Sequence, residues 1–232
     1  MDSHCPSLGR RDLLRVGAIA TLTLAATHRG FNSPAQAAEL TALKPNAALQ
    51  KLMIGNQRFV QHQPQYPHQT AARLQEVAQS QHPFATILSC ADSRVPAEIL
   101  FDQGIGDLFD VRIAGNIVTP ESMGSIEYAV ELLSTPVLMV LGHERCGAVT
   151  AAVQNEPLPG DISTFVDAIL PAVARVQNKP GDAVDNAVTA NVAYQIEQLL
   201  RSTLIKERVR SGTLKLVGGR YDLDTGTVTM VA

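Results

Sequence analysis

The stretch PVLMVLGHERCG, residues 136–147, decides the fold. An uncharged run rich in Val, Leu and Met is bounded by Pro136 and Gly142 and then gives way to a polar turn carrying His143 and Cys146. Such a short apolar run reads as a buried strand. Just upstream, 121–134 places Ile126, Val130 and Leu133 at helical spacing, and before it 107–113 is another apolar run. The order is therefore strand, helix, strand, which implies parallel pairing.

Working outward, 84–89 reads as a further strand and 162–177 and 185–210 as helices. Residues 214–217 and 227–231 close the chain as two strands, and the turn Asp222-Leu223-Asp224-Thr225-Gly226 between them favours a hairpin. Toward the N-terminus, 38–61 carries Leu40, Leu43, Leu49, Leu52, Met53 and Phe59 in an amphipathic pattern, weakened near its end by Gly55-Asn56. Pro64 and Pro67 mark a loop at 62–69, and 70–80 resumes a helical pattern. Further loops are expected at 155–160 and 178–182. The expected fold is α/β, a central, mostly parallel sheet flanked by helices.

The composition of 232 residues, 45% hydrophobic with a net charge of -3, supports one core. No excess of Lys or Arg marks a nucleic-acid footprint, and an aromatic share of 4% without Trp leaves few stacking platforms for bases. Nucleic acid is excluded as a partner, and a small uncharged or anionic substrate fits better.

Two strand ends carry the chemistry. Cys90 ends one strand in the string Ser89-Cys90-Ala91-Asp92-Ser93-Arg94, and His143 and Cys146 follow another. In an open parallel sheet that edge is where ligands bind. Two thiolates and one imidazole suit zinc, with a fourth tetrahedral position for water or a carboxylate. Asp92 can be that fourth ligand in a closed, structural site. Arg94 favours the other arrangement: it can pair bidentately with Asp92 and draw it off the metal, leaving a position open for chemistry.

Cys90-Ala91-Asp92-Ser93-Arg94-Val95, the Gly-His-x-x-Cys-Gly pattern at 142–147 and Arg112-Ile113-Ala114-Gly115-Asn116 together resemble β-class carbonic anhydrase, over roughly residues 45–223. The resemblance implies a parallel sheet with an N-terminal helix laid across a partner subunit. It also implies Zn2+ on Cys90, His143 and Cys146, and reversible hydration of carbon dioxide to bicarbonate by a zinc-bound hydroxide. Asp92 and Arg94 are then catalytic, with Asp92 accepting the nucleophile's hydrogen bond. Gln81, Phe109 and Tyr128 match the substrate-pocket residues of the plant-type subclass, which are shared across a dimer interface. Gly147 brings a backbone N–H at a helix start toward the substrate. The other subclass carries a Trp, used in an inhibitory bicarbonate site, where this chain has Ile87. Without the resemblance, Phe109 and Tyr128 read as core aromatics and Gln81 as a solvated helix-end residue. His62, His68 and His82 are candidate proton relays by type, and Leu132 stands where some plant-type relatives have His.

Residues 1–37 read as an export signal: Arg10-Arg11 before the apolar run 16–26, then Ala35-Gln36-Ala37 as a cleavage site. The pattern at 9–15 resembles a twin-arginine signal, with Leu13 in place of the commoner Phe. The run is too short to span a bilayer comfortably, so the mature chain, 38–232, carries no stable membrane span. It would work in the periplasm or a thylakoid lumen, as a homodimer or higher even-numbered homo-oligomer. Removal of the signal takes Cys5 with it, leaving Cys90 and Cys146. Competing readings are a hydrolase of carbonyl sulfide or carbon disulfide on the same fold, a non-catalytic zinc-stabilised regulatory protein, and a Cys90–Cys146 redox pair.

Overall fold

The computed structural model describes residues 43–232. The expected export signal and the expected helix positions 38–42 lie outside the described residues. Five strands form one sheet: β1 (Ala85–Ser89), β2 (Leu108–Arg112), β3 (Val137–His143), β4 (Lys215–Tyr221) and β5 (Val228–Met230). Their order is β2-β1-β3-β4-β5, all parallel except the β4–β5 hairpin. All seven residues of β3 are buried, as its uncharged run predicts for a central strand.

Among the described residues eight α-helices accompany the sheet: α1 (Pro45–Val60), α2 (Ala71–Val77), α3 (Ala97–Leu100), α4 (Pro120–Glu131), α5 (Gly147–Gln154), α6 (Ser163–Ala174), α7 (Ala183–Leu199) and α8 (Thr203–Arg210). Leu52 of α1 and Leu100 of α3 pack with Ala85, Ile87, Met139 and Leu141 on one face of the sheet. Ile126 of α4, Val192 of α7 and Ile205 of α8 pack with Leu88, Leu138 and Val140 on the other. A third cluster gathers α5, α6 and α7 around Cys90 and Cys146, so the expected site sits inside the packed structure.

Local chemistry sets several boundaries. Thr119 and Ser122 form a capping box at the start of α4, with Pro120 in its first turn. The single helix expected at 185–210 is two, because Ser202 leaves the helical conformation and its side chain caps α8 at the Ile205 N–H. Gly55-Asn56 does not end α1. A Cβ on Gly55 would lie 1.8 Å from Phe101 O. Asn56 donates to Leu100 O (3.0 Å) and Gly226 O (2.9 Å) and accepts from the Val228 N–H (2.9 Å). The pair is thus a packing device joining α1 to α3 and the hairpin. The last strand pair begins later and β4 runs further than its apolar residues suggest, through Gly218-Gly219, because α7 crosses it closely. A Cβ on Gly218 would sit 2.6 Å from Val192 Cγ1. Among the described residues no helix is long and apolar enough to cross a membrane.

Candidate metal centre

Cys90 follows β1 directly, His143 is the last residue of β3, and Cys146 caps α5. Because β1 and β3 are adjacent and parallel, their C-terminal ends place these side chains together. Cys90 Sγ, Cys146 Sγ and a His143 ring nitrogen all lie within 4.8 Å of one another, and all three residues are buried.

The donor set fits zinc on three counts. The sulfurs stand 3.9 Å apart, against about 3.8 Å for two Zn–S bonds of about 2.3 Å at a tetrahedral angle. His143 Nδ1 lies 2.9 Å from the Glu144 carbonyl, an acceptor only, so Nδ1 carries the proton and Nε2 the lone pair. That Nε2 is buried and has no hydrogen-bond partner, the condition of an atom that needs a Lewis acid. Finally, the Cys90 thiol is held well below its ordinary range, chiefly by its hydrogen bond from Cys146 and further by the Asp92 and Gly115 N–H groups. Cys146 is pushed up by the same bond and by burial. Two neighbouring buried sulfurs both ionise only with a cation between them.

Asp92 stands beside this cluster, its Oδ2 3.9 Å from His143 Nε2. Arg94 donates from Nε to Oδ1 (3.0 Å), from Nη2 to Oδ2 (2.8 Å), and from its backbone N–H to Oδ1 (2.9 Å). Both carboxylate oxygens are thus held by Arg94, which brings Asp92 down to about 2. This is the arrangement in which Arg94 claims the carboxylate. Arg112 adds a support to which the sequence assigned no role. Its Nε donates to Cys90 O (3.1 Å) and its Nη2 to Asp92 O (2.7 Å), tying the ligand loop to β2. Arg112 belongs to the string that also contains Gly115, whose N–H reaches Cys90 Sγ at 3.4 Å.

Residues 85–228 match the carbonic anhydrase family model. The chain belongs to the β-class carbonic anhydrases. It is 42% identical to carbonic anhydrase 2 of Mycobacterium tuberculosis, across 80% of this chain and 92% of that protein. It is 40% identical to the carbonic anhydrase of Mycolicibacterium smegmatis, across 80% and 93%. The solved β-carbonic anhydrase CcaA is similar at a TM-score of 0.64 and 28% identity, covering 78% of this chain and 86% of that one.

Within this β-class chain the other residues expected in the pocket are not gathered at the Cys–His–Cys cluster. Gln81 is exposed and precedes β1, at the end of the strand opposite Cys90. Phe109 pairs in register with Thr86 near the same end. The length of β1, about 16 Å at 3.3 Å per residue, lies between. Tyr128 on α4 is exposed, and its ring lies 6.1 Å from that of Phe109. Phe109 and Tyr128 thus meet each other, and neither is a fully buried core aromatic. His82 shares the Gln81 end, and His68 Nδ1 is 2.8 Å from both oxygens of buried Asp107 just before β2. Gly147 opens α5 and is exposed, and an added Cβ would meet nothing within 4 Å. Among the described residues nothing fills the space beside it.

Proposed function

We propose that this protein catalyses the reversible hydration of carbon dioxide to bicarbonate, with zinc held by Cys90, His143 and Cys146. The observation that carries the reading is the unpartnered, buried His143 Nε2 facing two sulfurs 3.9 Å apart, beside an Arg94-held Asp92. When bound, zinc supplies the Lewis acidity that makes a water nucleophilic near neutral pH. Asp92 stays ionised throughout the working range, accepts the hydrogen bond of the attacking water and orients it. Arg94 and Arg112 keep that acceptor in place. Gln81 donates to a substrate oxygen as charge develops, Phe109 and Tyr128 provide an apolar cradle, and Gly147 offers its N–H.

Gln81, Phe109 and Tyr128 stand away from their own metal centre, which supports a plant-type pocket completed by a second copy. We read the protein as a homodimer or a higher even-numbered assembly, with α1 also reaching the partner. Ile87, buried within the sheet, supports a site without the bicarbonate switch. The twin-arginine pattern of residues 9–15, within the expected signal 1–37, supports export to a periplasm or thylakoid lumen. N-terminal sequencing of exported protein tests this, since a retained Met1 counts against it.

Stopped-flow hydration with the zinc-loaded protein tests the whole reading. Asp92→Asn is expected to lose 100-fold or more, on the order of other lost charge-orienting groups, while zinc stays bound at wild-type stoichiometry. Full zinc with no hydration by the unaltered protein would instead point to a non-catalytic zinc protein. No zinc together with loss of free thiols would point to a Cys90–Cys146 redox pair.

A further inference from the structure

Helix α7 reaches the metal centre without supplying a ligand. Asn191 and Gln195, one helical turn apart, are each 1% exposed, and a primary amide so buried is destabilising if left without partners. Most of their partners lie in one short segment, apart from a longer contact of Gln195 Nε2 with Ala168 O of α6 at 3.5 Å. Asn191 Nδ2 donates to Gly115 O at 2.9 Å, and Gln195 Nε2 donates to Asn191 Oδ1 at 2.9 Å. Gln195 Oε1 accepts from the Val118 N–H at 2.8 Å. The two amides clamp both ends of 115–118, a segment that opens with the N–H directed at Cys90 Sγ.

Gly115 is also hemmed in from the other side. Its φ is +72°, a conformation that suits glycine, and a Cβ there would lie 2.5 Å from Ile169 Cδ1. The turn therefore has one position, fixed by Ile169 across it and Asn191 behind it. An N–H on a thiolate withdraws electron density from sulfur and holds its lone pairs in a set direction. Partners of this kind outside the ligand set commonly change metal affinity 10–100-fold.

We propose that Asn191, oriented by Gln195, is a positioning residue that fixes the Gly115 N–H on the Cys90 thiolate, and so sets how firmly the metal is held and how much charge that sulfur donates. The proposal rests on the zinc reading above. A merely structural role for the two amides, satisfying the Gly115 carbonyl and the Val118 N–H, predicts a change in stability alone.

The test uses the full chain loaded with zinc or with cobalt(II), in four forms: unaltered, Asn191→Ala, Gln195→Met, and Ile205→Val. The last alters a core cluster that contains neither Gly115 nor a ligand. The readouts are the rate of zinc transfer to a chelator and the thiolate-to-cobalt charge-transfer band. Asn191→Ala is expected to release zinc about tenfold faster and to move the band to longer wavelength, because a sulfur without its N–H is more readily oxidised. Gln195→Met should do the same to a smaller extent, whereas Ile205→Val should lower Tm and change neither readout. An Asn191→Ala protein that keeps the wild-type release rate and band overturns the proposal, whatever its Tm. If that variant does not fold, Gln195→Met decides by the same two readouts. An unaltered protein that takes up neither metal removes the zinc reading and this proposal with it.

Discussion

Two carboxylates near the metal centre are driven in opposite directions. Arg94 holds Asp92 at about 2, whereas burial, with Glu98 nearby, pushes Asp110 up to about 6, opposed by Arg112 and a hydrogen bond from Ser89. Asp92 can serve only as an acceptor. Asp110 binds its proton more tightly in the folded chain than in the unfolded one, so its contribution is fully favourable below the unfolded value near 3.8 and is lost as pH rises through about 6. Asp110→Asn, which keeps the shape and removes the charge, is therefore expected to gain about 1–2 kcal/mol at pH 8 once partial solvent screening is allowed for, and almost nothing at about pH 3. Urea unfolding at the two pH values checks this, and an equal effect at both would show that ionisation is not the cause. Asp92 and Arg94 were legible because both lie in one short string with the first ligand. Asp110 was not, because its burial and the nearness of Glu98, carried on the four-residue α3, arise only in the folded chain.

At the scale of elements, α7 is the wall against which the ligand-bearing strands are set. Val192 presses on Gly218 of β4 and on Gly142 of β3, where an added Cβ would stand 2.6 Å from Val192 Cγ2. Gly142 immediately precedes His143, so this contact fixes the approach of the imidazole. Gly142→Ala is expected to cost about 1–3 kcal/mol through overpacking. Combined with Val192→Ala, which vacates the same space, the total should fall short of the summed single costs by at least about 1 kcal/mol. Additive costs in denaturant unfolding would place the strain elsewhere. The strand–helix–strand alternation was legible from apolar runs alone. The length of β4 was not, since Gly218 and Gly219 look like a strand's end until the helix crossing them is known. Likewise, the continuous leucine spacing through 196–204 hid the break that Ser202 makes.

At the scale of the molecule, one chain holds a complete donor set at one end of its sheet and a separate group of pocket residues toward the other. The sequence could name both groups, because their residue types and offsets survive in the string. Only the resemblance implied that the two groups meet across subunits; their separation within one chain follows from the register Thr86↔Phe109 and from Gln81 standing before β1. On the dimeric reading proposed above, edge strand β2, half-buried along most of its length, and exposed Tyr128 beside it are the surface on which a second copy would deliver Gln81 to the first copy's metal. Complementation follows from this geometry. Asp92→Asn has a dead metal centre but an intact Gln81, while Gln81→Ala has the reverse, so each alone should be severely impaired. In a mixed dimer one site combines the sound metal centre of the Gln81→Ala subunit with the Gln81 of its neighbour. If subunits re-associate at random, half the dimers are mixed and each has one working site of two, giving roughly a quarter of wild-type activity. Co-refolding the two variants and measuring hydration by stopped flow reads this directly. Activity no greater than the average of the two variants alone would mean that Gln81 serves its own chain, and that the pocket is built in a way the register does not support.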